Sequence, residues 1–181
     1  MGELRNPHIE PPVPDRVRES ARESAVLIGV VQRAEPTLLV TRRHSGIRFA
    51  GQICFPGGTI DEGDGSPVAA ALRESEEEIA LVPDAVEVLG ELGHYYTQSG
   101  YRITPVVGLI EQDVVLRANP GEVSAIYEVP LSRALSARHY QYTWRGTDRA
   151  HLAFVDGDVR IAGPTVSLLV GLYEAILDAG V

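Results

Sequence analysis

Seven carboxylates, Asp61, Glu62, Asp64, Glu74, Glu76, Glu77 and Glu78, stand against a single base, Arg73, in one short stretch of this chain. On a helix turning about 100° per residue, Glu74, Glu77 and Glu78 fall at i, i+3 and i+4 and share a face. Like charges at that spacing repel by about 0.2–0.5 kcal/mol per pair. A helix selected only for solubility would mix in bases, so the stripe reads as a cation site rather than a solvated surface. Clustered hard oxygens suit Mg²⁺ or Mn²⁺, which also coordinate phosphate oxygens. The preceding Pro56-Gly57-Gly58 lets backbone carbonyls approach whatever the carboxylates hold.

The elements that must position this stripe can be read from periodicity. Ser66–Ala80 is the clearest helix, with Ser66 as N-cap, Pro67 at the first helical position and Pro83 just beyond the end. Val68, Leu72, Ser75 and Ile79 line the side opposite the acids, so the helix is expected to dock by that side and point its acids outward. Upstream, Pro11, Pro12 and Pro14 mark an extended arm, and Arg16–Ser24 is a short amphipathic stretch. Ala25–Gln32 and Pro36–Arg42 are apolar strands joined by a Glu-Pro turn, and Gln52–Phe55 is a short strand. Downstream, Val86–Tyr96, Ile103–Ile110 and Ser124–Val129 read as strands and Leu131–Ala137 as a short helix. His139–Trp144 and Ala150–Val155 form a hairpin across Arg145–Arg149, and Gly163-Pro164-Thr165 opens a terminal helix, Val166–Ala179. Strands gathered around a few helices predict an α+β domain, layered α/β/α around a central mixed β-sheet. Residues 1–24 are read as arm and short helix, and 25–181 as one domain.

Composition narrows the chemistry. A net charge of −9 argues against a nucleic-acid partner. It leaves room for a phosphorylated small molecule whose charge a divalent cation offsets. All 16 basic residues are Arg, so phosphate recognition falls to Arg, backbone N–H groups or metal. One cysteine, Cys54, excludes an intrachain disulfide. No apolar run is long enough to span a bilayer, and the N-terminus lacks a signal-peptide core. A cytoplasmic protein is expected, acting without membrane or nucleic acid, with a homodimer left open.

The acid stretch resembles the Nudix box, Gly-x5-Glu-x7-Arg-Glu-U-x-Glu-Glu-x-Gly-U, where U is a bulky aliphatic. Gly58, Asp64, Arg73-Glu74, Glu77-Glu78, Ala80 and Leu81 occupy the pattern. The chain departs from it in Asp64 for Glu, one extra residue before Arg73, Ser75 for U, and Ala80 for Gly. A second layer is similar to coenzyme A pyrophosphatases: Leu39-Val40-Thr41-x-Arg43, then Arg48, then Gly51–Gly58. Thr97-x-Ser99-Gly100-Tyr101, Asn119-Pro120-Gly121-Glu122 and Gly163-x-Thr165 extend that likeness. His44 stands where Ser or Ala is usual, Ala162 replaces a common Trp, and the Arg48–Gly51 interval is one residue short.

The resemblance implies a Nudix fold and metal-dependent cleavage of a nucleoside pyrophosphate. The narrower likeness implies coenzyme A, cut to 4′-phosphopantetheine and adenosine 3′,5′-bisphosphate. Glu77 and Glu78 are the implied metal ligands, Glu74 a ligand or general base, and Gly57 or Gly58 a carbonyl ligand. Arg73 is expected to orient a carboxylate, Glu122 to supply a further ligand or the base, and Asp61 and Asp64 to cap or shape their loop or to share in catalysis. Arg43 and Arg48 are candidates for substrate phosphates, with Arg43 the better placed for a 3′-phosphate because the short interval re-aims Arg48. Tyr95, Tyr96 and Tyr101 are candidates to stack an adenine, against packing in the core or rim. Trp144 and Cys54 are expected to be buried. Two rivals stand beside this reading. One is a Nudix enzyme for ADP-ribose, a dinucleotide or a nucleoside triphosphate. The other is a non-catalytic nucleotide sensor, against which the intact Arg73-Glu74-x-x-Glu77-Glu78 weighs.

Overall fold

A computed structural model describes residues 12–145 and 149–180. The start of the proline arm, the 146–148 turn of the last hairpin and the side chain of Trp144 lie outside the described residues. Strand β1 (Arg22–Val31) organises the rest. It pairs in parallel with β7 (Tyr101–Ile110) along its whole length. It also pairs antiparallel with β2 (Thr37–Arg43) near its end and with β4 (Gly57–Thr59) near its start. The mixed sheet continues through β3 (Ile53–Cys54), β11 (Val159–Ala162), β10 (Arg149–Asp156) and β9 (Tyr140–Arg145) on one side. On the other, β5 (Val86–Glu91) and β6 (Tyr95–Tyr96) pair with β7, and β8 (Val123–Pro130) pairs with β2.

β1 reads as a near-continuous apolar run because both of its faces are covered. Ala25, Leu27 and Val31 pack with Ala70, Ala71 and Ile79 of helix α2 (Pro67–Ile79). Ile28 and Val30 pack with Val166, Leu169 and Val170 of a second helix, Pro164–Asp178. Each fully buried Leu or Ile contributes about 1.5–3 kcal/mol. The outcome is the α+β architecture expected from the sequence, a mixed sheet between helices. Among the described residues no helix is long and apolar enough to cross a membrane.

Four local differences have physical causes. The first helix, α1, covers only Asp15–Glu19, because Arg22–Ser24 join β1 to match Tyr101–Ile103. Val86–Tyr96 divides into β5 and β6: β5 bulges between Val88 and Gly90, where Gly90 takes φ 153°, and stays paired with β7 to Glu91, and residues 92–94 interrupt the ladder before Tyr95. The strands β4 and β11 are too short to show periodicity and exist by pairing with β1 and β10. Leu131–Ala137 is α3 (Leu131–Ala134), followed by a 3₁₀ turn at Ala137–His139; the terminal helix is α4.

The ends of α2 follow the sequence closely. Ser66 Oγ accepts from Ala69 N at 3.1 Å. Ala80, standing where the Nudix box has glycine, takes the left-handed φ of 56°, with its N–H on Glu76 O. A side chain there costs about 1 kcal/mol relative to glycine. Ser75, fully buried, satisfies itself by donating to Ala71 O at 2.6 Å.

Candidate functional site

The loop from β4 to α2 is fastened by Arg73. Its guanidinium meets Asp64 in a fork, Nε–Oδ1 2.7 Å and Nη2–Oδ2 3.1 Å, and also donates to Thr59 O at 3.2 Å. It reaches Glu74 Oε1 at 3.0 Å and Glu77 Oε1 at 3.3 Å. Asp64 receives the Asp61 N–H at 2.7 Å, and the Arg73 bonds hold its carboxyl below the usual carboxylate range. The orienting role expected of Arg73 and the loop-shaping role expected of Asp64 are thus two halves of one contact.

The acid face is graded rather than uniformly outward. Glu77 is about half exposed, Glu74 is 17% exposed, and Glu78 is 4% exposed and turned toward β4. Glu78 receives Gly57 N–H at 3.3 Å and lies 3.8 Å from Arg43 Nη1. Burial pushes the Glu78 carboxyl up to about 7, and the charges of Glu74 and Glu122 add to the effect. Glu74 is also raised, chiefly by burial, with Arg73 pulling the other way. The expectation that Glu78 faces solvent is corrected: periodicity gives the face of a helix but not what stands against that face.

Glu122 comes to the same place from a different part of the chain. The segment before β8 is tied to the C-terminal carbonyls of α2: Arg117 N on Ile79 O, Asn119 N on Glu78 O, and Asn119 Nδ2 on Glu77 O. Asn119 Nδ2 also donates to Glu122 Oε1 at 3.2 Å. Asn119 therefore sets Glu122 against α2, a role that its residue type alone did not announce.

Glu74, Glu78 and Glu122 line one cleft of about 550 Å³. Arg43, Arg48, Gly57, Gly58 and Tyr101 line it too, together with an apolar wall of Val26, Phe55, Ile103 and Leu168. Glu77 and Arg73 are not part of this lining and are joined to each other at 3.3 Å. Tyr95 faces the cleft and Tyr96 does not: neighbouring strand residues point to opposite faces, and Tyr96 carries Arg18 over its ring at 4.5 Å. Cys54 also lines the cleft, its thiol raised by burial and by the charge of Glu78. Phe49 on the rim escaped the sequence reading because nothing in its type signals exposure.

The cleft suits a hard divalent cation. Among the described residues no three His, Cys, Asp or Glu side chains close into a cage by themselves. Mg²⁺ and Mn²⁺ tolerate this, since they are commonly held by one or two carboxylates plus water and substrate phosphate. Glu78 is buried with the charges of Glu74 and Glu122 close by. Arg43, 3.8 Å away, offsets them only in part, so a divalent cation would relieve the remaining excess of negative charge. Both glycines leave space that a side chain would fill. A Cβ on Gly58 would stand 2.5 and 2.6 Å from the carboxylate oxygens of Glu74, and one on Gly57 would stand 2.6 Å from Val26 Cα. Gly57→Ala, also forced to φ 146°, is expected to cost more than about 3 kcal/mol, read as a fall in the thermal midpoint. Gly58→Ala should keep most of the stability and lose about 10- to 100-fold in kcat, because it displaces only the Glu74 side chain.

Comparison with known proteins agrees with this geometry. The family model described as NUDIX domain matches residues 21–150. The Nudix hydrolase NudL of Photorhabdus laumondii, uncharacterized in its name, is 47% identical over 133 residues, 73% of this chain and 71% of that protein. NudL of Escherichia coli K12 is 51% identical over 120 residues, 66% of this chain and 62% of its own length. In solved structures the fold matches the NUDIX domain of Shewanella oneidensis NrtR, a complex with ADP ribose. That match has a TM-score of 0.57 at 19% identity, covering 86% of this chain and 88% of that one. A MutT/nudix family protein from Enterococcus faecalis gives 0.58 at 15% identity, covering 87% and 62%. With the box on one helix and strand β4 beneath it, a family match spanning most of β1 to β10 leaves one assignment: the chain belongs to the Nudix family and is a Nudix hydrolase.

Proposed function

We propose that this hydrolase cleaves the diphosphate of coenzyme A or a derivative, giving 4′-phosphopantetheine and adenosine 3′,5′-bisphosphate. The observation that carries the reading is the continuity of one cleft. Its carboxylates Glu74, Glu78 and Glu122 adjoin both an Arg–aromatic rim and an apolar wall. A diphosphate flanked by a base on one side and an arm of methyl, methylene and amide groups on the other has the same order of parts. The motifs around Arg43–Gly58 and Thr97–Tyr101, similar to coenzyme A pyrophosphatases, point the same way.

The reaction is attack of water on one phosphorus with in-line departure of the other phosphate. Nudix hydrolases use divalent metal ions; Glu78, Glu74, Glu77 and the Gly58 carbonyl would hold one here, neutralising charge that builds on the phosphate oxygens. The side chains do the rest. Glu74 and Glu122, both on the cleft, are the groups placed to accept the proton of the attacking water. Arg43, braced by its Nε bond to Arg48 O at 3.1 Å, lies 3.8 Å from Glu78, and this reading gives it to the diphosphate. Arg48 lies on the rim, where its Nη1 donates to Tyr101 Oη at 3.3 Å.

The test is a panel of coenzyme A, dephospho-coenzyme A, ADP-ribose, dinucleotides and nucleoside triphosphates with Mg²⁺ or Mn²⁺ in ¹⁸O-water. Products are identified by mass. Coenzyme A should have the highest kcat/KM, with label on one diphosphate-derived phosphate. Arg43→Ala should slow coenzyme A and dephospho-coenzyme A alike, by roughly 10- to 150-fold. A clear preference for another member of the panel replaces the substrate, and label elsewhere than on phosphate sinks the mechanism.

A further inference from the structure

Phe49 is costly to the fold and gives little back to it. Its φ is 61°, a left-handed conformation that side chains other than Gly and Asn rarely take. The residue is 43% exposed and belongs to neither buried core cluster. The position is nevertheless fixed. Phe49 O accepts Gln52 N at 3.2 Å, Gly51 N donates to Arg43 O at 3.1 Å, and Arg43 N donates to Gln52 O at 2.9 Å. The short Arg48–Gly51 interval is closed by two left-handed residues, Phe49 and Gly51 at φ 72°, and the turn they form puts the ring on the cleft rim.

What the ring touches is Arg48. The guanidinium carbon lies 4.7 Å from the Phe49 centroid and 5.6 Å from that of Tyr101, while Nη1 donates to Tyr101 Oη at 3.3 Å. Two aromatic rings, one from the turn between β2 and β3 and one from the start of β7, thus flank a planar cation at the mouth of the cleft. A strained, exposed aromatic at such a place is best explained by a ligand. Flat π surfaces and a guanidinium plane are what a nucleobase stacks on.

We propose that Phe49, with Arg48 and Tyr101, forms the platform that binds the base of the nucleotide half of the substrate. The proposal rests on the reading of this cleft as a nucleoside-diphosphate site and adds the residue that reads the base. The apolar wall of Val26, Phe55 and Ile103 is left to the other half.

The test compares AMP with ribose 5-phosphate, which lacks the base, by calorimetric titration of the full-length protein. Wild type should bind AMP more tightly. Phe49→Ala and Phe49→Gly should each weaken AMP about 5- to 10-fold and leave ribose 5-phosphate unchanged. Phe49→Trp should hold AMP within about twofold. Phe49→Gly relieves the backbone at φ 61°, so its thermal midpoint should not fall, and lost binding cannot then be put down to unfolding. If wild type does not distinguish the two ligands, or if the variants weaken both equally, the platform is overturned. The functional reading then stands or falls separately, on whether the same preparation cleaves coenzyme A. Cleavage of coenzyme A with no effect of Phe49 removes only the platform. Base-selective AMP binding without coenzyme A cleavage removes only the substrate.

Discussion

Glu78→Gln is expected to abolish most of the activity and at the same time to stabilise the metal-free protein. Glutamine keeps an oxygen for the Gly57 N–H at 3.3 Å and fits the same space, so the fold has no reason to fail. What it removes is a charge. The folded-state pKa of Glu78, about 7, lies above the ordinary 4.5, with burial as its chief cause. The folded chain therefore keeps a proton that the unfolded chain gives up. The contribution is fully present below about pH 4.5, is lost as the pH rises to about 7, and is level above that. In EDTA at pH 8, the variant should exceed wild type by up to about 3 kcal/mol, and the difference should nearly vanish at pH 5. With Mg²⁺ or Mn²⁺ present, kcat should fall by about 10²- to 10³-fold. Thermal melts at the two pH values check the first statement, and turnover the second. A variant less stable than wild type at pH 8 would show that the carboxylate is not held at a cost.

Arg73→Ala should have the opposite profile, losing stability before chemistry. The side chain is 30% exposed, yet it serves Asp64, Thr59 O, Glu74 and Glu77 together. Its removal leaves the 4%-exposed carboxylate of Asp64 with only the Asp61 N–H. A lower denaturation midpoint than wild type is expected. Arg73→Lys should recover only part of the difference, since an ammonium cannot reproduce the fork on Asp64. The pH dependence follows from Asp64, whose carboxyl is held low by Arg73. Its contribution is present above the ordinary carboxylate value and is lost as the pH falls through the folded-state value. Denaturant titration at pH 7 and again in the acid range separates this from a simple packing defect. Equal stability of Arg73→Ala and wild type at pH 7 would refute the fastening role.

The sequence made some of this legible and hid the rest for identifiable reasons. Helix α2 could be bounded almost to the residue, because Ser66 and Pro67 act within one turn and Ile79 closes a 3.6-residue period. β1, β2 and the pairing of β9 with β10 were visible as apolar or alternating runs. The three-residue strand β4 was not, since Gly57-Gly58 reads as a breaker and becomes a strand only where β1 supplies partners. The acids were found by type and spacing, but the depth of Glu78 depends on β4 and on Arg43, which lie elsewhere in the chain. Among adjacent tyrosines, alternation guarantees that one of Tyr95 and Tyr96 turns away, without saying which. Phe49 was invisible for a similar reason: a positive φ in a non-glycine residue leaves no mark on composition.

The parallel pairing of β1 with β7 also governs how the molecule can be made. Arg22 through Val31 precede in the chain the strand that pairs with them in parallel, Tyr101 through Ile110, which follows only after α2, β5 and β6. Until then β1 has β2 and β4 along one edge and α2 on one face, and its other edge is unpaired. Closing so long a loop precedes any reward from the contacts it makes, so folding is slow compared with helix formation. The acid-bearing helix forms locally and quickly, while the sheet that gives it a floor is completed late. A nascent chain halted before Ile110 carries the whole Nudix box and a β1 edge still without its full parallel partner, an arrangement prone to self-association.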